Sequence, residues 1–201
     1  MGEAVGSTSA QKVALRDQLL TARRRHPLTA AREDAESIAE HLLATPEVRR
    51  AATVAIYISL SNEPGTGPLV EQLHALGRRL ILPVLLPDND LDWAVYEGPR
   101  SLVPASRGLL EPTGPRLGPE AVATADVVLC PGLAVDRRGY RLGRGGGSYD
   151  RALARVPVGT FVCTLLYEEE LLEHVPAEEH DLPVTAAVTP SGVTRLRPAP
   201  A

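Results

Sequence analysis

The chain has 201 residues, a formal net charge of −4, and 44% hydrophobic but only 3% aromatic residues. That length buries a good core as one domain, and the mild acidic balance argues against a dedicated nucleic-acid binder. No apolar run is long enough to span a bilayer, and Cys130 and Cys163 sit in apolar runs without metal-thiolate spacing, so a cytoplasmic protein with reduced, buried thiols and no membrane partner is expected.

Residues 1–10 are small and polar and read as a disordered tail, 196–201 as a second one, leaving a domain over 11–195. From Gln11 to Arg25 the apolar residues Val13, Leu15, Leu19 and Leu20 recur at helical spacing, and a basic run closes the segment where it complements the helix dipole. Lys12 and Arg16 are four apart and share one face, which on its own reads as solvated. Pro27 interrupts the chain, and Thr29 is the expected cap of a second helix through Ile38, Leu42 and Leu43.

Thr53-Val54-Ala55-Ile56-Tyr57-Ile58 is an almost continuous apolar run, the pattern of a strand covered on both faces. A polar loop with Glu63-Pro64, a helix with Pro68 in its first turn and a second buried strand at 79–84 complete a right-handed βαβ unit. Ligands of such sheets bind at the carboxyl ends of the strands, where Glu63 lies. Leu91 to Tyr96 alternates as a third strand does and carries the only tryptophan, Trp93, whose usual fate is core filler. Residues 98–119 form a long loop rich in Pro and Gly, read as a wall of the cleft. Further strands are expected at 126–130, 160–165 and 186–189. The whole reads as a three-layer α/β domain with a mixed, mainly parallel sheet flanked by helices. The five histidines form no ligand-spaced pairs, so no zinc site is expected.

The chemistry concentrates between Asp136 and Arg151, in Asp-Arg-Arg-Gly-Tyr-Arg-Leu-Gly-Arg-Gly-Gly-Gly-Ser-Tyr-Asp-Arg. Glycines bring bare backbone N–H groups close to an anion, a following helix points its positive end at it, and the arginines add full charges. An uncommitted arginine- and glycine-rich loop capped by Ser148 is the alternative reading of the same residues. The segment is not a Walker A loop, which needs Lys followed by Ser or Thr, and it lacks the spacing of a dinucleotide fingerprint.

It does closely resemble the signature of the 5-formyltetrahydrofolate cyclo-ligases, also called methenyltetrahydrofolate synthetases. Pro131-Gly132-Leu133-Ala134-Val135-Asp136 has Val135 where that family has Phe, and Gly139 to Gly147 leads into Ser148-Tyr149-Asp150-Arg151 where the family has two aromatics before Asp-Arg. The likeness runs from Lys12 to about Thr189. It takes in the Lys-x-x-x-Arg pair of Lys12 and Arg16, Glu63-x-x-Thr66, Gly108-Leu109-Leu110-Glu111-Pro112, Trp93 with Tyr96, Tyr167-x-x-Glu170 with Glu for Gln, and His180-Asp181.

The resemblance implies ATP- and Mg²⁺-dependent cyclisation of 5-formyltetrahydrofolate to 5,10-methenyltetrahydrofolate. In that family ATP phosphorylates the formyl oxygen, N10 of the folate attacks the activated carbon, and ADP and phosphate are released. The same resemblance implies that Lys12, Arg141, Arg144 and Tyr149 are catalytic. It places Lys12, Arg16, Arg141, Leu142, Gly143, Arg144, Gly145, Gly146, Gly147, Ser148 and Tyr149 around ATP. Ile58, Glu63, Trp93 and Tyr149 fall to the folate, and Asp150 and Asp181 to Mg²⁺. A monomer acting on a small molecule is expected. The departures at Val135, Ser148 and Glu170 leave two other readings: a nucleotide- or folate-binding paralogue without turnover, and an ATP-dependent ligase of another small acid. Ser148 is expected to widen the substrate pocket or weaken its stacking, and Glu170 to change hydrogen bonding to the substrate.

Overall fold

The computed structural model describes residues 7–178 and 181–196. The first helix, α1 (Thr8–Arg24), begins inside the expected N-terminal tail because Ser7 accepts the Ala10 N–H with its hydroxyl at 3.3 Å. Residues 1–6 and 197–201 of the two expected tails, and His180, lie outside the described residues, while Leu196 is a core residue rather than part of a tail. Next come α2 (Leu28–Ala44) and α3 (Pro46–Arg50). Pro27, in extended backbone, precedes the first turn of α2, so Thr29 falls inside the helix and does not cap it.

The expected βαβ unit is present as β1 (Thr53–Ala55), α4 (Gly67–Ala75) and β2 (Arg79–Leu85), with β1 and β2 adjacent and parallel. The strand β3 (Leu91–Val95) then returns antiparallel to β2. The long Pro- and Gly-rich segment holds a small hairpin of β4 (Leu102–Pro104) and β5 (Leu110–Pro112). After it come β6 (Val127–Pro131), β7 (Ala134–Asp136), β8 (Arg141–Leu142) and α5 (Ser148–Leu153). The chain closes with β9 (Phe161–Leu165), β10 (Leu171–Leu172), β11 (Ala186–Thr189) and β12 (Gly192–Arg195).

The main sheet has seven strands in the order β12-β11-β9-β6-β1-β2-β3, parallel throughout except for the two edge strands. Near-continuous apolar strands require cover on both faces. On one face Ile38 and Leu42 of α2 and Leu69 and Leu73 of α4 pack on Val54, Leu80, Leu82, Val127 and Leu165. On the other, Ala152 and Leu153 of α5 join Val122, Ala125 and Leu196 over Ala55, Ile81, Val128 and Val162. The three expected layers are these.

A second sheet, β10-β7-β8, stands apart at the carboxyl end of β6. It supports α1, whose Leu15, Leu19 and Leu20 lie half-buried against Leu133, Ala134, Leu142 and Val175. Val13, expected on the apolar face, is exposed; the residues of α1 that are buried are Lys12 and Arg23. Arg23 donates through Nε to Glu170 Oε1 at 2.6 Å, and through Nη2 to Glu170 Oε2 at 2.8 Å and to the Gly132 carbonyl at 2.6 Å. The Tyr167 N–H also donates to Glu170 Oε2 at 2.8 Å. Glu170, expected to alter substrate hydrogen bonding, is therefore spent inside the fold as the counter-charge of Arg23.

The short helix α5 is pinned from behind, where Arg155 makes a two-pronged pair with Asp90 in the β2–β3 turn, at 2.9 and 2.6 Å. The Arg155 hydrogen bonds outweigh burial and hold the Asp90 carboxyl below the usual carboxylate range.

Breaking a buried ion pair from one side leaves an uncompensated charge. Glu170→Ala is therefore expected to cost about 3–5 kcal/mol in urea unfolding, and Glu170→Gln, which keeps an acceptor oxygen, a smaller part of that. A depressed carboxyl pKa contributes stability above the unfolded value, near 4, that is lost as pH falls through the folded value. Asp90→Asn is thus expected to lower stability at neutral pH by roughly 1–3 kcal/mol. Its urea midpoint should fall less steeply than that of the parent between pH 4 and 2.

Candidate active site

The carboxyl ends of β1 and β6 open into a cleft of about 610 Å³, walled by α1, the β4–β5 hairpin, the glycine loop after β8 and the start of α5. Each wall is fixed by hydrogen bonds that the motifs supply. The loop after β1 closes on itself: Ser59 N–H donates to the Thr66 hydroxyl at 3.0 Å, and Thr66 N–H to the Ser59 hydroxyl at 3.1 Å. Within it Leu60 N–H donates to Glu63 Oε2 at 2.9 Å, and Tyr167 Oη donates to the Glu63 carbonyl at 3.1 Å. Glu111 accepts the Leu85 N–H at 2.9 Å, which ties the β4–β5 hairpin to the end of β2 and sets Arg107, Leu109 and Leu110 along the cleft. Asp136, fully buried, accepts the N–H groups of Arg138, Tyr140 and Val175 and shapes the turn into β8.

The glycine loop runs from Gly143 to Gly147, where the chain adopts φ +68° before α5, a conformation that costs a residue with a Cβ. Arg16 reaches across from α1 and donates to the Gly143 carbonyl at 2.8 Å. Ser148, the first residue of α5, is half-buried at the cleft wall.

Four of the cations that line the cleft are residues expected at the site. Lys12 Nζ lies 2.6 Å from Asp181 Oδ2 and 2.7 Å from Glu178 Oε2. Burial opposes its charge, but those two carboxylates win and hold its pKa above that of an ordinary lysine. Arg141 Nη2 donates to Asp150 Oδ1 at 2.7 Å, and its Nη1 donates to the Pro131 carbonyl at 3.3 Å. Arg144 donates through Nε to Glu63 Oε1 at 3.2 Å and through Nη2 to Asn62 Oδ1 at 3.0 Å. Arg16 is the fourth. Lys12 and Arg16 are thus not a solvated face: both line the cleft opposite Arg141 and Arg144.

Of the residues expected at the site, Ile58, Glu63, Leu142, Gly145, Gly146, Gly147, Tyr149, Asp150 and Asp181 also line the cleft. Trp93 does not. Its ring is 1% exposed and packs in the core beneath α5, so the expectation of stacking on a flat ligand gives way to core packing. The sequence reading missed Tyr57, Leu60, Leu85, Leu91 and Glu178, which line the same cavity. Tyr57 and Leu91 sit in apolar runs where nothing marks one residue as facing a ligand. No group of three or more His, Cys, Asp or Glu among the described residues forms a metal site by itself. No helix of the described residues is long and apolar enough to cross a membrane.

The 5-formyltetrahydrofolate cyclo-ligase family model matches residues 8–190. The 5-formyltetrahydrofolate cyclo-ligase of Mycolicibacterium smegmatis is 40% identical over 92% of this chain and 97% of its own length. That of Escherichia coli K12 is 36% identical over 85% and 96%, respectively. The NMR structure of the Aquifex aeolicus 5,10-methenyltetrahydrofolate synthetase superposes with a TM-score of 0.80 at 31% identity, covering 94% of this chain and 95% of that one. A match spanning the glycine loop, the Glu63 loop and the Lys12 helix alike makes the chain a member of the 5-formyltetrahydrofolate cyclo-ligase family.

Proposed function

We propose that the protein cyclises 5-formyltetrahydrofolate to 5,10-methenyltetrahydrofolate with consumption of ATP. The observation that carries this reading is the convergence of Lys12, Arg16, Arg141 and Arg144 on one cleft that also holds the Glu63 carboxylate and an apolar wall at Ile58. Phosphoryl transfer asks for positioning and charge neutralisation rather than a protein nucleophile. Consistent with that, the two cysteines are buried in the core, where loss of solvation pushes both thiols up, well up for Cys163.

Lys12, Arg16, Arg141, Arg144 and the backbone from Gly143 to Gly147 bind the triphosphate. Leu142, Ser148 and Tyr149 complete the nucleotide side, and Ile58, Glu63 and Tyr149 hold the folate. The γ-phosphoryl passes to the formyl oxygen and ADP leaves. N10 then attacks the activated carbon, the C–O bond breaks with the electron pair going to phosphate, and the N10 proton is lost to phosphate or solvent. The cations steady the negative charge at both stages.

The oxygen donors of Asp150 and Asp181 suit Mg²⁺, which takes one or two carboxylates and completes its shell with phosphate and water. Asp150 accepts from Arg141 through Oδ1 and lines the cleft. Bound there, the cation would neutralise phosphate oxygens. We read the enzyme as a monomer of the cytoplasm.

Incubation with 5-formyltetrahydrofolate, ATP and Mg²⁺ is expected to produce the methenyl chromophore, and its absence would overturn the proposal. Lys12→Met, which keeps the stem and deletes the charge, is expected to lower turnover on the order of 10²-fold while far-UV circular dichroism is unchanged.

A further inference from the structure

Among the described residues, two phenol hydroxyls in the cleft wall are buried without a hydrogen-bond partner, those of Tyr57 and Tyr149. Buried polar groups are almost always satisfied, so an orphan that also borders a cleft marks a candidate contact for what the cleft binds. Tyr149 already belongs to the proposed site. Tyr57 does not; it follows β1, is 4% exposed, and packs with the core while lining the cleft that Glu63 also lines. Burial, reinforced by the nearby Glu63 charge and the Tyr149 phenol, pushes its pKa well above 10. It is a neutral hydroxyl and hence a donor at any physiological pH.

The chemistry of this corner is complementary. Glu63 can only accept hydrogen bonds, Tyr57 has a proton to give, and Ile58, Leu60 and Leu85 supply apolar wall around them. The amide edge of a pterin presents an N–H beside a carbonyl oxygen, which is the pattern that an acceptor and a donor lining one cleft would read. Resting on the proposed activity, we infer that the Tyr57 hydroxyl is a substrate-binding group, donating to the carbonyl oxygen of the pterin next to the N–H that Glu63 accepts. The opposing explanation is that the ring is core filler and its hydroxyl incidental, in which case phenylalanine would serve as well or better.

Tyr57→Phe removes that oxygen and nothing else. The KM for 5-formyltetrahydrofolate is expected to rise threefold or more, on the order of tenfold, with the KM for ATP unchanged and the thermal midpoint equal or higher. A rise below threefold, an equal rise for ATP, or a variant that fails to fold would each overturn the inference, the last by showing that the hydroxyl has a structural partner. Wild-type protein without turnover would strike the proposed activity. Calorimetric titration of both proteins with 5-formyltetrahydrofolate in the absence of ATP reads the hydroxyl independently, and equal dissociation constants, or no binding to either protein, sink the inference.

Discussion

The Arg23 guanidinium, held between the Glu170 carboxylate and the Gly132 carbonyl, is the contact on which the placement of α1 depends. A helix that buries only Lys12 and Arg23 and leaves Val13 in solvent has little apolar area with which to dock. Its leucines give partial cover to the small β10-β7-β8 sheet, and charge supplies the direction. Removing a guanidinium and a carboxylate from water is expensive and is repaid only when their hydrogen bonds are made. Here both carboxylate oxygens are used, one of them shared with the Tyr167 N–H. Gly132, whose carbonyl Arg23 meets, has no room for a side chain, because a Cβ there would stand 2.7 Å from Thr164 Cγ2 and 3.1 Å from the Arg141 stem. Arg23 thereby sets the axis from which Arg16 reaches the glycine loop and Lys12 reaches Glu178 and Asp181. Tyr167, bonded at one end to Glu170 and at the other to the Glu63 carbonyl, carries the same constraint to the opposite wall.

The motif residues divide by task. Thr66, Glu111 and Asp136 accept backbone N–H groups of their surroundings and shape loops. Lys12, Arg16, Arg141 and Arg144 point into the space those loops enclose. Glu63 does both, since one oxygen takes Leu60 N–H while the other meets Arg144. A spacing such as Glu-x-x-Thr is thus one loop with a reader and a fastener, and neither part works without the other.

The mainly parallel sheet, the βαβ start and the glycine loop were legible in the sequence because each leaves a periodic or compositional trace. The strands β7, β8 and β10 left none: two or three residues span too little to show an alternation. Trp93 and Tyr57 show the other limit. Both lie in apolar runs and both are buried, yet one ring fills the core while the other borders the cleft, and only the course of the chain after β1 decides which. Glu170 was misread for a related reason. Its partner, Arg23, is 147 residues away, and a carboxylate in a polar loop gives no hint that it is the counter-charge of a buried helix residue.

The ion pairs of Lys12, Arg141 and Arg144 give the cleft an unusual relation to salt. Each of these cations already leans on a carboxylate of the protein, so an arriving polyanion exchanges one negative partner for another rather than shedding a cloud of small mobile ions. Screening acts most on charges that stand in bulk solvent. Nucleotide affinity in such a cleft should be buffered against ionic strength by the enzyme's own acids, which take up in the empty state the role that chloride plays at an open basic groove.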